Sequence, residues 1–169
     1  MGDRPKRSRK PFDGNQGQSP YDDFILFLDE NLHNCAPLLA VLDKAGIPYV
    51  RHGTRFKAGE LDEIWLPTVS REGWIILTKD KGIRYNSLEV TAVIANKGRE
   101  FFFRSGNWSG QQMAKILSKA LPKMKRLAAR VEAPFIASLT QTGDVHLRYD
   151  KNGSIHEQQK KAQRERTEA

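Results

Sequence analysis

The chain has a single cysteine, Cys35, and so cannot form an intramolecular disulfide. It contains no apolar run approaching the length of about 20 residues that a membrane-spanning helix needs. Its basic N-terminus has no apolar segment of the kind found in secretory signals. The 4 histidines are scattered and lack zinc-ligand spacing, and no glycine-rich phosphate loop follows a strand-like run, which argues against a nucleotide-binding enzyme. These absences predict a cytoplasmic protein that does not enter the membrane.

The whole chain has a net charge of +8, and one long stretch of it contains no acidic residue. Between Phe101 and Val131 there are seven basic residues and no acidic one. Five of them recur every three or four residues, which places them on one face of a helix: Lys115, Lys119, Lys123, Arg126 and Arg130. This basic stripe can bind the phosphate backbone of RNA. A solvated helix face and a docking surface for an acidic partner protein are the alternatives.

Composition divides the chain into three parts. Residues 1–20 are rich in proline, glycine, serine, glutamine and basic side chains, and are predicted to form a flexible basic arm. Residues 21–150 are predicted to form one domain. Residues 151–169 are predicted to form a polar, charged tail that is either loose or a frayed helix.

Short apolar runs alternate with helical patterns of about ten residues in the central part. The expected strands are 24–28, 47–52, 74–78 and 100–103. The expected helices are 34–44, 61–72, 87–96 and 109–130, with Asn34 capping the first and Pro122 interrupting the last. Residues 134–139 and 145–149 are expected to form a C-terminal hairpin. The pattern predicts an α/β fold with a mostly parallel central sheet and helices on both of its faces.

Acidic residues stand where two of these strands end and where one helix begins. Asp29 follows the first strand directly, and Asp80 follows the third. Asp62 and Glu63 open the second helix, where acids also complement the helix dipole. Since ligands bind outside the carboxyl ends of the strands in such sheets, these acids are expected to share one site. Carboxylates gathered together favour a hard divalent cation, so the pattern predicts a metal-dependent site for which phosphodiester chemistry is the first reaction to consider.

Three motifs carry a resemblance to a known family. They are Phe-Leu-Asp-Glu-Asn at 27–31, Asp-Glu-Ile-Trp at 62–65 and Ile-Ile-Leu-Thr-Lys-Asp-Lys at 75–81. In this order and spacing they resemble the PIN-like nucleases, above all the compact VapC-related toxins, and residues 103–109 are similar to a late motif of that branch. The resemblance covers about residues 24–118. It implies a three-layer PIN-like fold, an acid cluster that binds Mg²⁺ or Mn²⁺, and hydrolysis of RNA.

The resemblance also implies roles for individual residues. Asp29, Glu63 and Asp80 would be the catalytic, metal-binding acids, with Asp62 in place of Glu63 if the helix begins elsewhere. The fourth acid of larger PIN domains has no match, since Glu89 lies inside a helix. The residues expected to contact RNA are Lys79, Lys81, Arg104, Asn107, Lys115 and Lys119. Many proteins of the family are toxins that a small antitoxin protein neutralises, and dimers are common among them, so an antitoxin and a second copy are the expected protein partners.

Two other functions remain open at this point. A phosphoacceptor receiver domain also has acids after its first strand, an aspartate after its third and a hydroxyl after its fourth, here Asp29-Glu30, Asp80 and Ser105. A receiver needs a lysine at the end of its fifth strand, however, and residues 134–139 contain none. The second alternative is an RNA-binding protein of the same fold without catalytic activity.

Three side chains near these motifs have two interpretations each. Glu30 is expected to pair with a basic residue or to cap the following helix. His33 is expected to reach the acidic site or to cap a helix. Trp108 is expected to pack in the core, or to stack on an RNA base.

Overall fold

A computed structural model describes residues 24–79 and 87–169. The strands are β1 (Leu26–Leu28), β2 (Tyr49–Arg51), β3 (Ile75–Lys79), β4 (Arg99–Phe103), β5 (Phe135–Leu139), β6 (Val145–Asp150) and β7 (Gly153–Ser154). The helices are α1 (Ala36–Lys44), α2 (His52–Arg55), α3 (Asp62–Glu72), α4 (Ser87–Ala95), α5 (Gly110–Arg130) and α6 (Ile155–Glu168). The predicted arm at residues 1–20 lies outside the described residues.

All strands of the described residues belong to one sheet, in the order β2-β1-β3-β4-β5-β6-β7. Strands β1 to β5 pair in parallel, whereas β6 and β7 add in antiparallel fashion at one edge. The predicted α/β class, with a mostly parallel sheet and a C-terminal hairpin, is confirmed. The chain winds outward from β1 in both directions, so β1 and β3 flank the topological switch point at which doubly wound sheets bind their ligands.

Alternating side chains of the strands build a separate apolar core on each face of the sheet. Leu26 and Leu28 point to the layer formed by α1 and α5. Phe27 points the other way, to the layer formed by α3 and α4. There it stacks between Trp65 and Trp74, at centroid distances of 5.4 and 6.1 Å. Because neighbouring strand residues face opposite ways, Asp29 shares the face of Phe27 and is directed toward the α3–α4 layer.

The first helix begins later than the sequence predicts. The cap of α1 is Cys35 and not Asn34, and no side chain of α1 or its cap satisfies the first amides. The amide group of Asn34 instead lies 3.2 Å from Nε2 of His33. Pro37 occupies the second helical position, where its missing N–H costs nothing because that group would have no partner within the helix.

The predicted interruption of the long helix at Pro122 is wrong, because α5 runs unbroken through it. Pro122 lies on the exposed side of the helix, so water can satisfy the carbonyl that loses its N–H partner. The start of α5 is strongly defined by a capping box. The amide of Gln112 donates to Oγ of Ser109 at 3.1 Å, and the amide of Ser109 donates to Oε1 of Gln112 at 2.8 Å.

The C-terminal segment at 151–169 contains β7 and α6. Helix α6 has no buried residue, yet it is attached to the sheet through Gln158, whose amide group donates to Oδ1 of Asp150 at 3.0 Å and to the carbonyl of Gly153 at 3.2 Å. The polar tail therefore continues the edge of the sheet. Within residues 24–79 and 87–169, none of the helices combines the length and the apolar character needed to cross a bilayer.

Candidate active site

Asp29 lies at the carboxyl end of β1 and is fixed there by its neighbours. It is only 8% exposed. One carboxylate oxygen accepts a hydrogen bond from the Thr78 hydroxyl on β3, and the other accepts from the amide of Asn31 at 3.0 Å. The amide of Asp29 donates to the carbonyl of Leu77 at 3.3 Å. Contacts on both strands therefore hold the carboxylate at the switch point between β1 and β3.

Asp29 opens onto a small cavity of about 50 Å³ between the sheet and helices α3 and α4. The carboxyl groups that line this acidic cavity are those of Asp29, Asp62, Glu89 and Glu100. Its other walls are Trp65, Leu66, Ile76, Thr78 and Val93. Four acids around so small a volume repel one another unless protons or cations offset their charge.

Glu100 is the most perturbed of these acids. It is the second residue of β4, in register with Ile76 and Ile136, and is 5% exposed. Its Oε2 is buried and has no hydrogen-bond partner among the described residues. Burial, reinforced by the charges of Asp29, Glu89 and Asp62, raises the pKa of Glu100 from 4.5 to about 8. At neutral pH the side chain is therefore mainly a neutral acid, which lowers the negative charge in the cavity.

Both acids that begin α3 are exposed, but Asp62 lines the cavity and Glu63 does not. The helix explains the difference, because Asp62 comes three and four residues before the buried Trp65 and Leu66 and shares their face. The structure thus brings Asp29 together with Asp62, the alternative to Glu63. Asp80 lies outside the described residues, as does Lys81, so their predicted roles stay predictions.

Sequence reasoning did not assign a role to Glu100 and set Glu89 aside as a helix residue. A signal for Glu100 was present, since it is the one charged residue of the run Glu100-Phe101-Phe102-Phe103. Strand alternation puts it on the face of Phe102, which is buried. Glu89 lies in the first turn of α4, whose packing against α3 brings it to the cavity. Within residues 24–79 and 87–169, no three His, Cys, Asp or Glu side chains are grouped closely enough to hold a metal ion.

The predicted RNA-contacting residues fall into two groups. Lys79, Arg104 and Asn107 lie at the carboxyl edge of the sheet, at or just after the ends of β3 and β4. The backbone amide of Asn107 donates to Oγ of Ser105 at 3.2 Å, which fits a role in shaping the turn. Trp108 packs edge-on against Phe103, with a centroid distance of 6.5 Å, so the core interpretation of Trp108 is confirmed.

The second group, Lys115 and Lys119, is exposed on α5. Helix α5 covers the sheet face opposite the acidic cavity, because its apolar residues belong to the core that includes Leu26 and Leu28. The sheet therefore separates the basic stripe from the acids. Lys123, in the middle of the stripe, is engaged by Asp144 at 2.6 Å.

Glu30 makes a contact that the sequence did not predict, whereas His33 takes one of its two predicted roles. Both carboxylate oxygens of Glu30 accept from the amide of Gly59, at 2.9 and 3.0 Å. Nδ1 of His33 accepts from the amide of Gly53 at 2.8 Å. The described contacts of Glu30 are thus neither a basic partner nor a helix cap. His33 accepts from an amide in the first turn of α2, as its capping interpretation predicts, and does not line the acidic cavity.

A buried histidine begins helix α2. His52 is 2% exposed and packs among the rings of Phe27, Phe56 and Trp65. Its Nδ1 has no partner among the described residues. Burial lowers the pKa of His52, because the charged imidazolium is poorly solvated in an aromatic cluster. His52 is accordingly a neutral part of the core at neutral pH.

These features define a doubly wound α/β domain with an acidic cavity at its switch point. Comparison with protein families shows that residues 25–105 match the model of the PIN like domain. Over this part the chain is therefore similar to the PIN-like domain, and the matched part extends from β1 past the end of β4 and includes Asp29, Asp62, Glu89 and Glu100 of the cavity. Searches of curated proteins and of solved structures found no match.

The strand order of β1 to β5 does not distinguish a PIN-like domain from a receiver domain, since the order 2-1-3-4-5 occurs in receivers as well. The end of β5 does. Leu139 is followed by Thr140 and Gln141, so the lysine that a receiver needs is missing. Together with the family match, this favours the PIN-like interpretation.

Proposed function

We propose that this protein is a Mg²⁺- or Mn²⁺-dependent endoribonuclease and the toxin of a toxin–antitoxin pair. The observation that supports the nuclease activity is the convergence of Asp29 and Asp62 on one cavity at the switch point of a PIN-like domain. The toxin role rests on the motifs at 27–31, 62–65 and 75–81, which resemble the VapC-related branch.

The chemistry of the cavity fits a hard cation. Its polar groups are carboxyl and hydroxyl oxygens, which Mg²⁺ and Mn²⁺ prefer as ligands. Each Asp29 oxygen accepts one hydrogen bond and keeps a second lone pair. Asp29 and Asp62, joined by Asp80, would hold the ion. When bound, such an ion lowers the pKa of a coordinated water and offsets charge on the phosphate.

The other residues have supporting roles in this proposal. Thr78 orients Asp29 through its hydroxyl. Glu100, as a neutral acid, limits the repulsion that the remaining carboxylates experience. Lys79 and Arg104 lie at the same edge of the sheet and attract the RNA phosphates toward it.

The test is cleavage of a labelled single-stranded RNA with Mg²⁺ or Mn²⁺, with and without a chelator. We expect cleavage that stops on chelation and is lost in Asp29→Asn and in Asp62→Asn. Glu63→Gln, which changes the neighbouring exposed acid, decides between the two α3 acids, because it should retain activity if Asp62 is the ligand. Glu72→Gln, at the far end of α3, is a control for loss of one exposed charge.

Cleavage that persists in the chelator would contradict the metal dependence, and full activity of Asp29→Asn would contradict the site. The toxin role has a separate test. Induced expression of the wild-type chain should arrest bacterial growth, and Asp29→Asn should relieve the arrest. Normal growth on expression of an RNA-cleaving wild-type chain would refute the toxin role alone.

A further inference from the structure

Two long-range hydrogen bonds fasten helix α2 and the segment between α2 and α3 to the residues that follow β1. Glu30 accepts from the amide of Gly59 at 2.9 and 3.0 Å, across 29 residues of sequence. His33 accepts from the amide of Gly53 at 2.8 Å, across 20 residues. We call these two contacts the clasp.

The clasp precedes helix α3, whose N-terminus has no side-chain cap. The cap residue of α3 is Leu61, which provides no side-chain hydrogen bond and is 62% exposed. Gly59 has a positive φ of 75°, and the amide of Glu60 closes the turn by donating to the carbonyl of Lys57 at 3.1 Å. The bond from Gly59 to Glu30 therefore ties this turn to the end of β1, three residues before Asp62.

Glu30 also adjoins Asp29 in sequence, at the end of a strand that is paired on both sides. Asp29 lies at the acidic cavity, whereas Glu30 belongs to the turn that follows β1 and reaches the amide of Gly59. The residues at one strand end thus contact both the acidic cavity and the turn before α3. Burial of Trp65 and Leu66 fixes the body of α3, but not its first residue.

We propose that Glu30 is a positioning residue, which holds Asp62 at the acidic cavity opposite Asp29 by binding the amide of Gly59. This inference rests on the proposed function, because it concerns the acids assigned there to the metal ion. Glu30 itself does not line the cavity. Its role is to limit the positions that the Asp62 carboxylate can adopt, as outer-shell partners do at metal sites.

His33 provides the second point of the clasp, and the glycine that it binds is required there. A Cβ atom built on Gly53 would lie 2.6 Å from Cε1 and 2.7 Å from Nδ1 of His33, closer than side chains approach one another. Gly53→Ala therefore has to displace the His33 ring and open this end of the clasp. This variant opens the clasp without removing any charge. Its effect can therefore be assigned to the geometry of the segment and not to a change in electrostatics.

The experiment measures the affinity for Mn²⁺ by calorimetry in the full chain, with denaturation curves to show that each variant is folded. We expect Glu30→Ala to weaken Mn²⁺ binding by about 10- to 100-fold, the usual effect of removing an outer-shell partner. Glu30→Gln keeps one acceptor oxygen and should retain most of the affinity. Glu72→Ala removes an equal charge at the exposed end of α3 and should have no effect.

A double-mutant cycle with Asp62→Asn separates positioning from general loosening of the fold. If Glu30 acts through Asp62, Glu30→Ala should weaken Mn²⁺ binding no further in the Asp62→Asn background. An equal further loss in that background, or unchanged affinity of Glu30→Ala itself, would overturn the positioning role. So would a Glu30→Gln variant as weak as Glu30→Ala.

Hydrogen exchange of the Gly59 amide reports on the clasp without reference to any metal. Protection should be lost in Glu30→Ala and kept in Glu30→Gln. Should the wild-type chain fail both to bind Mn²⁺ and to cleave RNA, the proposed function fails and the positioning role with it, even if Gly59 is protected. If the wild-type chain binds Mn²⁺ while Gly59 exchanges equally fast in all variants, only the clasp is refuted.

Discussion

Replacing the buried Glu100 with glutamine should make the protein more stable at alkaline pH. The folded chain raises the pKa of Glu100 from 4.5 to about 8 through burial and the nearby acids. A carboxyl group with a raised pKa in the folded state contributes stability that is complete below pH 4.5. That stability is lost as the pH rises through about 8, because the folded state must then either keep a proton that the unfolded chain has released or ionise inside the cavity.

The size of the effect follows from the two pKa values. Integrated between them, the linkage amounts to on the order of 5 kcal/mol of unfolding free energy. Glutamine has nearly the shape of the protonated acid and does not titrate. The difference in stability between Glu100→Gln and wild type should therefore be small at pH 5, grow in favour of the variant up to about pH 8 and level off above it.

The assay is urea unfolding followed by tryptophan fluorescence, since Trp65 lines this cavity and Trp74 is buried in the same core. It is repeated at each pH unit from 5 to 9, in chelator, so that no divalent cation holds Glu100 ionised. Glu72→Gln, an exposed acid on α3, serves as the control and should track the wild type throughout. Stability curves of Glu100→Gln and wild type that run parallel from pH 5 to 9 would refute the argument that Glu100 is protonated in the fold.

Two further predictions concern the surface around α5. Gly143→Ala should destabilise the protein by about 1–3 kcal/mol in urea unfolding, because its φ is 79° and a Cβ there would lie 2.6 Å from Cβ of Lys119. Gly153→Ala has a positive φ but open space, so it should cost less, and equal costs would contradict the packing argument. If α5 binds RNA, changing Lys115 and Lys119 together to glutamine should reduce the slope of log affinity against log salt by about 1.4 in filter binding. The control is the same change at Lys160 and Lys161, the two lysines of α6. An unaltered slope in the α5 variant would exclude RNA contacts by Lys115 and Lys119.

The position of Asp29 could be predicted from the sequence because it depends on local rules. A strand whose side chains alternate between the two faces of the sheet ends directly before Asp29, and parallel strands present their carboxyl ends at one edge of the sheet. The same rules predicted the order of strands and helices and the hairpin at the edge of the sheet. They could not choose between Asp62 and Glu63, since that choice depends on which face of α3 packs on the sheet.

Glu100 and the basic stripe show what local rules cannot supply. Glu100 looked like an ordinary strand residue, and only the packing of α3 and α4 over β4 turns it into a buried acid. The stripe was correctly placed on one face of a helix, but a helix pattern does not reveal which side of the sheet that helix covers. The continuity of α5 through Pro122 likewise depends on the exposed position of that residue, which its sequence neighbours alone do not reveal.

The placement of α5 and the acidic cavity on opposite faces of the sheet constrains the shape of any polynucleotide that reaches both. Such a strand must fold over the carboxyl edge near Arg104 within the thickness of one domain. Double-helical nucleic acid resists bending on that scale, since for DNA its stiffness persists over about 150 base pairs. A substrate gripped on both sides would consequently be an unpaired stretch or the tip of a loop, with its ends leaving in different directions.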